Sequence, residues 1–261
     1  MKLFFDHVLF QQTNFNFNHT LVSAVFEESE FDYALSNGWF PDNFWMNPST
    51  QHSIRCRESG EFVWSPIRSA RICVAHFVLD KKDRRLLKNN ITVEVKQAFK
   101  VNNQELFEVY LKYIKIKQFE DYKENLDSFN LAFCRDDFQF LEYRQNNNLI
   151  GFCLVQPLGS SLISYQFCWD YENPKLSLGK FSQIQEVEYA KSLKSDYVYI
   201  GCIAENEGFY KSNFPGFEYF TGREWRKKDN LIEKWLTSDS NCHSIKELCQ
   251  LESEYIKDYN L

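Results

Sequence analysis

The chain is short of glycine, methionine and closely spaced cysteines. Its 261 residues include nine glycines and two methionines, and no Cys-x-x-Cys spacing occurs among its eight cysteines. So few glycines leave little room for a phosphate loop built from several of them. The missing Cys-x-x-Cys excludes the commonest zinc and redox spacings. The cysteines are scattered, and Cys153, Cys168 and Cys202 lie in apolar strand-like runs, so they read as buried free thiols rather than a disulfide framework. No apolar run approaches the ~20 residues that cross a bilayer. The stretch from Met1 to Phe17 is broken by Asp6, Gln11, Gln12 and several asparagines and has no small-residue cleavage site, so it does not read as a secretory signal. The expectations are a cytoplasmic protein with no membrane partner.

What is abundant is aromatic: 25 Phe, 14 Tyr and 6 Trp, within an ordinary 44% hydrophobic and 25% charged composition. That is enough for a sizeable core. The net charge of −6 argues against a nucleic-acid partner, but its distribution argues back. Between Lys81 and Lys117 stand ten basic residues (Lys81, Lys82, Arg84, Arg85, Lys88, Lys96, Lys100, Lys112, Lys115, Lys117) against four acidic ones (Asp83, Glu94, Glu105, Glu108). Such a stretch is either a phosphate-contacting patch or a solvated helix face of mixed charge. His52, Cys56, Cys73 and His76 have workable zinc spacings. A strand over Arg71 to Val78, however, would turn Cys73 and His76 to opposite sides, so no metal is expected there.

Residues 1 to about 95 hold short aromatic runs punctuated by Asn37-Gly38, Pro41, Pro48 and Ser59-Gly60, which predicts short strands and turns. Gln104 to Asn125 carries Leu106, Val109, Tyr110, Tyr113, Ile114 and Phe119 near helical spacing, which predicts an amphipathic helix. The period then becomes two over Phe138–Arg144, Leu149–Gln156 and Leu162–Trp169, an antiparallel meander. Ser182 with Gln185 reads as a capping box, with Ile184, Val187 and Ala190 forming a helix stripe to about Lys194. A strand over Tyr197–Ile203 and a helix over Ser244–Tyr255 complete the pattern. The class is α+β: a small N-terminal α+β unit over residues 1–100, then over 101–261 a GNAT-like, acetyltransferase-type mixed sheet with flanking helices.

Four blocks carry a family resemblance. Asp170 stands seven residues before Ser177-Leu178-Gly179, Tyr199-Ile200-Gly201 forms a strand motif, and Tyr210-Lys211-Ser212-Asn213-Phe214 is followed by Glu218. Upstream lie Leu35-Ser36-Asn37-Gly38-Trp39-Phe40 and Pro66-Ile67-Arg68-Ser69-Ala70-Arg71-Ile72. In this order they resemble the arginyl-tRNA protein transferases and their bacterial leucyl-transferring relatives, over most of residues 30 to 225. The resemblance implies transfer of an amino acid, arginine or leucine, from aminoacyl-tRNA to the α-amine of proteins with acidic N-termini, tagging them for degradation. The family's closely spaced cysteines, tied to metal or iron–sulfur binding, have no counterpart here. Aminoacyl-tRNA is therefore the expected co-substrate, and neither an iron–sulfur cluster nor zinc is expected. The loop before Tyr210 is shortened, Pro215 is displaced by one position, and Tyr171 stands where the family has a turn proline. The alternatives are a GNAT-type N-acyltransferase using acyl-CoA, which the single glycine of Ser177–Lys180 disfavours, and a catalytically idle relative that binds tRNA or N-termini.

Within that reading Asp170 and Glu186 are the candidate proton acceptors or holders of the α-ammonium. Ser177, Gly179 and Lys180 form an anion-binding turn at a helix start. Backbone N–H groups near Cys168 and Tyr199 are candidate oxyanion donors. Arg68, Arg71 and Lys211 are the cations available to read an acidic N-terminus, with Tyr210 lining the pocket. Each has a structural alternative: a turn cap for Asp170, an exposed helix carboxylate for Glu186, internal ion pairs for the arginines.

Overall fold

The computed structural model describes residues 1–12, 15–42, 45–48, 52–56, 62–66, 68–99, 102–117, 123, 125–203, 206–241, 247, 250–251, 254 and 257–258. In chain order the elements are β1 (Lys2–Gln12), β2 (Phe15–Val25), α1 (Phe31–Ser36), β3 (Trp39–Asp42), β4 (Trp45–Pro48), β5 (His52–Cys56), β6 (Phe62–Pro66), β7 (Arg68–Cys73), α2 (Lys81–Asn89) and β8 (Val93–Ala98). There follow α3 (Asn103–Lys117), α4 (Leu126–Phe133), β9 (Gln139–Gln145), β10 (Asn148–Leu158), β11 (Ser161–Trp169), α5 (Leu178–Ser192), β12 (Tyr197–Ile203), β13 (Phe217–Phe220), β14 (Trp225–Lys227) and α6 (Asn230–Ser240). Two compact units result, one from Met1–Arg71 with Cys202–Leu261, the other from Ile72–Gly201. The chain divides there rather than at residue 100.

The first unit holds the sheet β1-β2-β4-β3, the β5–β6 hairpin, and β13 between β14 and β7. Every residue of β7 is buried, its two arginines included. Buried cations need partners. Arg68 has Asp239 of α6, with the Trp235 ring 4.9 Å from its guanidinium. Arg71 has Glu218 of β13 at 2.8 Å and the Trp225 ring at 4.1 Å. The expected Asn37-Gly38 turn ends α1. Gly38 has φ +78°, and a Cβ there would lie 2.1 Å from the Phe220 ring, so only glycine fits. Glu247, Gln250, Leu251, Glu254, Lys257 and Asp258 are helical, in the region read as the last helix.

The second unit is built on the strand order β12-β11-β10-β9-β8. Strands β8 to β11 are antiparallel, and β12 joins parallel to β11 after the α5 crossover. That is the strand, strand, strand, helix, strand order of a GNAT-like core. Residues alternate between sheet faces. Phe152, Leu154 and Cys168 pack with Leu106, Tyr110, Tyr113 and Phe129 of α3 and α4. Tyr143 of β9, in register with Gly151 and so on the other face from Phe152, meets Phe181 of α5 with ring centroids 6.0 Å apart, so α5 covers the opposite face.

Several boundaries differ from the sequence reading. The strand expected over Arg71–Val78 stops at Cys73 and becomes a 3-10 turn, Val74–His76. Helix α3 ends at Lys117, and α4 is an additional helix whose N-cap, Asn125, accepts from the Ser128 N–H at 2.9 Å. Asn125 was read as a helix end because its capping role depends on residues that follow it. Strand β8 pairs with β9 from Val93–Gln145 to Ala98–Phe140, which places it in the second unit's sheet. Among the described residues no helix is long and apolar enough to cross a membrane.

Candidate functional site

Strands β11 and β12 pair only at Ser161–Tyr197, Leu162–Val198 and Ile163–Tyr199. Beyond Ile163 they part. The parting begins where the β10–β11 register slips from Leu154–Gln166 to Val155–Ser164, leaving Tyr165 as an extra residue on β11. A bulge bends its strand and increases local twist. The sheet therefore carries a notch within the second unit, and the segment leaving β11 at Trp169 runs from it towards α5.

In that segment the Asp170 N–H donates to the Ile150 carbonyl at 2.8 Å, and its Oδ1 accepts the Glu172 N–H at 2.8 Å, an Asx-type turn. Oδ2 accepts from Lys112 Nζ at 2.6 Å, and Lys112 also reaches Glu172 at 3.1 Å. The Asp170 side chain is 11% exposed, whereas Lys112 is half exposed. The hydrogen bond to Asp170, then that to Glu172, raises the Lys112 ammonium above the usual lysine value. The turn lies on an aromatic wall. Trp169 has ring centroids at 4.8 Å from Tyr171, 4.9 Å from Tyr113 and 5.0 Å from Phe167.

A 3-10 turn, Pro174–Leu176, leads to Ser177, which has φ 47° and ψ 47°. A non-glycine residue in the left-handed region costs roughly 1–2 kcal/mol, and such outliers gather at functional sites. The Ser177 hydroxyl makes no cap hydrogen bond; its carbonyl accepts from the N–H groups of Lys180 and Phe181, each at 3.0 Å. Helix α5 thus starts at Leu178, four residues before the expected cap. Ser182 lies inside the helix, where its hydroxyl donates to Glu186 at 2.9 Å. The first N–H groups of any helix lack intrahelical acceptors and carry its positive dipole end, and here those belong to Leu178 and Gly179. Gly179 packs beside Trp169, 3.4 Å from where a Cβ would stand. Lys180 Nζ lies 2.6 Å from Oδ1 of Asp83, a buried residue of α2, and Asn90, which caps the C-terminus of α2, donates to the Leu176 carbonyl at 2.8 Å. Helix α2 is thereby docked on the turn.

Glu186 is 2% exposed, not on the outer face of α5. Besides Ser182 it acts on Tyr143 and Cys153, whose buried acidic groups are pushed up first by desolvation and then by the Glu186 charge. Sequence reasoning placed Asp170, Ser177, Gly179, Lys180 and Glu186 in one unit with Tyr210 and Lys211; the structure keeps the first five in the second unit and puts Tyr210 and Lys211 in the first. Sequence reasoning missed Lys112 as the partner of Asp170, because a residue 58 positions away leaves no local signal. The other four candidates lie in the first unit. Arg68 and Arg71 are buried in ion pairs and present no exposed cation. Lys211 is half-buried and donates to the Cys202 carbonyl at 3.0 Å; Tyr210 is exposed. Cys73, Cys134, Cys153, Cys168 and Cys202 are free thiols among the described residues. The side chains of His52 and Cys56 lie outside the described residues.

Residues 102–221 match the family model described as "Arginine-tRNA-protein transferase, C terminus". That span includes Asp170, the Ser177–Lys180 turn, Tyr210 and Lys211, and excludes α2, Arg68 and Arg71. An aspartate/glutamate leucyltransferase of Pseudomonas syringae pv. syringae is 25% identical over 182 residues, 65% of this chain and 77% of that protein. One of Dinoroseobacter shibae is 27% identical over 216 residues, covering 76% and 74%. Among solved structures, that of FemX aligns at TM-score 0.46 and 8% identity over 79% of this chain and 70% of that one.

Proposed function

We propose that the chain is a member of the arginyl-tRNA protein transferase family, an aminoacyltransferase drawing on aminoacyl-tRNA, and that the reaction takes place at the β11–β12 notch with Asp170 as its principal side chain. The observation that carries this is the junction itself: parted strands, an anchored carboxylate and a strained helix-start turn meet within one unit. The protein's α-amine attacks the ester carbonyl at the tRNA 3′ end, the C–N bond forms, the ester C–O bond breaks, and the ribose hydroxyl leaves with a proton. An α-amine of reference pKa about 7.7–8.0 is partly neutral near pH 7, so no strong base is needed. Positioning and oxyanion donors supply most of the rate.

Asp170 holds the incoming ammonium and takes its proton, since a carboxylate that already accepts from Lys112 and the Glu172 N–H retains further lone pairs. Backbone N–H groups around Cys168 on the parted edge face the developing oxyanion. The N–H groups of Leu178 and Gly179 take a terminal phosphate, as a helix start does. Glu186 is a positioning residue that fixes the first turns of α5 through Ser182. The relatives' names make leucine the first amino acid to test and Asp or Glu the first acceptors, with arginine second. The steps proposed require neither a metal nor an iron–sulfur cluster, and the protein works in the cytoplasm.

The test is transfer of radiolabelled amino acids from a pool of charged tRNA onto peptides starting with Asp, Glu, Arg, Lys or Ala. Label is expected on the Asp and Glu peptides, with Asp170→Asn reducing the rate by roughly 10² or more. A pool that labels no peptide, whatever the start residue, sinks the proposal.

A further inference from the structure

Helix α2 turns Asp83 and Leu86 inward, with its C-cap Asn90, and presents Lys81, Arg84, Arg85 and Lys88 to solvent. Those four follow i, i+3, i+4, i+7 spacing, so they share one face along roughly 10 Å of helix. They line an open groove of about 560 Å³ among the described residues. Among the described residues Arg84 donates only to the Leu79 and Asp80 carbonyls, which leaves its charge uncompensated there. The nearest carboxylates are otherwise held: Asp80 and Asp83 cap the helix reciprocally at 2.7 and 3.1 Å, and Asp83 also faces Lys180. Four like charges so close repel one another, in a protein of net charge −6. A polyanion relieves that repulsion. The same helix is docked through its opposite face, by Asn90 and Asp83, on the Ser177–Lys180 turn, so the cationic face and the turn belong to one unit.

We propose that the exposed face of α2 is the surface along which the phosphodiester backbone of an RNA runs towards the Ser177–Lys180 turn. This rests on the reading of the protein as an aminoacyl-tRNA-dependent transferase. Within the basic stretch of Lys81–Lys117 it selects the four cations that line one groove; Lys112 is engaged with Asp170 and Glu172, and Lys96 with Glu94. Phosphate contacts release counterions, so affinity falls with salt in proportion to their number.

The test compares Lys81→Gln/Arg85→Gln/Lys88→Gln with a charge-matched control, Lys194→Gln/Arg223→Gln/Lys227→Gln, all six residues being exposed. Binding of uncharged tRNA is followed by fluorescence anisotropy over a range of salt concentrations. The α2 triple is expected to bind at least about 10-fold more weakly in low salt, with the slope of log affinity against log salt reduced by about 1 per cation; the control keeps the wild-type slope. Equal losses in both triples, an unchanged slope, or loss of binding to phosphatidylserine vesicles without loss of tRNA binding overturns the proposal. Peptide labelling on the same preparations separates the two ideas. A wild type that labels peptides beside an α2 triple with unaltered tRNA binding sinks the surface alone; a wild type that labels nothing while the triple loses tRNA affinity sinks the transferase reading alone.

Discussion

The cations of β7 and those of α2 are the same residue types in opposite situations. Arg68 and Arg71 stand on a strand whose every residue is buried, and each guanidinium has a carboxylate and an aromatic face. The α2 cations stand on the outer face of an amphipathic helix whose carboxylates are occupied with capping. A basic residue becomes available to a ligand only where the fold leaves its charge uncompensated. Matching a family motif or a charge count does not reveal that; burial and partners do.

The sharpest way to break the comparison is to remove one partner of the buried pair. Asp239→Ala leaves the Arg68 charge buried without its carboxylate, which should cost about 3–5 kcal/mol in urea unfolding, while the double change Arg68→Met with Asp239→Leu recovers much of that loss. Lys81→Gln on the open face should shift stability by no more than about 0.5 kcal/mol. If Asp239→Ala costs less than about 1 kcal/mol, Arg68 is solvated and regains its standing as a reader of acidic N-termini.

A smaller effect separates structure from ligand approach at the α5 turn. A methyl at Gly179 would meet the Trp169 ring at 3.4 Å, ordinary van der Waals contact. Gly179→Ala should therefore leave stability within about 1 kcal/mol of wild type, with any change favouring the helix. If the Gly179 backbone approaches the tRNA end, the same variant raises the KM for charged tRNA several-fold. An unaltered KM makes Gly179 a turn residue only.

The parts of the fold that could be read in advance were those written in local periodicity. The meander over β9 to β11, the helix and the parallel strand β12 followed from spacing alone, and with them came the junction that holds Asp170 and Gly179. The α5 start was misplaced because Ser177 caps through its carbonyl from a left-handed conformation, which residue preference does not favour. The pairings of Asp170 with Lys112 and of Arg68 with Asp239, 171 positions apart, could not be read, since only the folded chain brings them together. The family blocks pointed to the arginines without revealing that Glu218, itself part of a block, is the partner of Arg71.

Between the buried pair of β7 and the open face of α2 lies an intermediate case that sharpens the contrast by pH. Arg144 of β9 grips Glu105 of α3 with two bonds at 3.0 and 2.7 Å, both residues partly exposed, and reaches the buried Glu142 at 2.8 Å. The Arg144 hydrogen bonds hold the Glu105 carboxyl below its ordinary value of 4.5. A carboxyl lowered on folding contributes stability above the unfolded pKa, and that contribution disappears as pH falls through the folded one. Glu105→Gln should therefore lower thermal stability by a nearly constant amount, at most about 1 kcal/mol, from pH 7 to about 5.5. The gap between variant and wild type should close as pH drops below about 4.5, where wild-type Glu105 takes up its proton. A gap that persists unchanged into acid means that the Glu105 side chain acts by packing and not by its charge, and the pair then belongs with neither extreme.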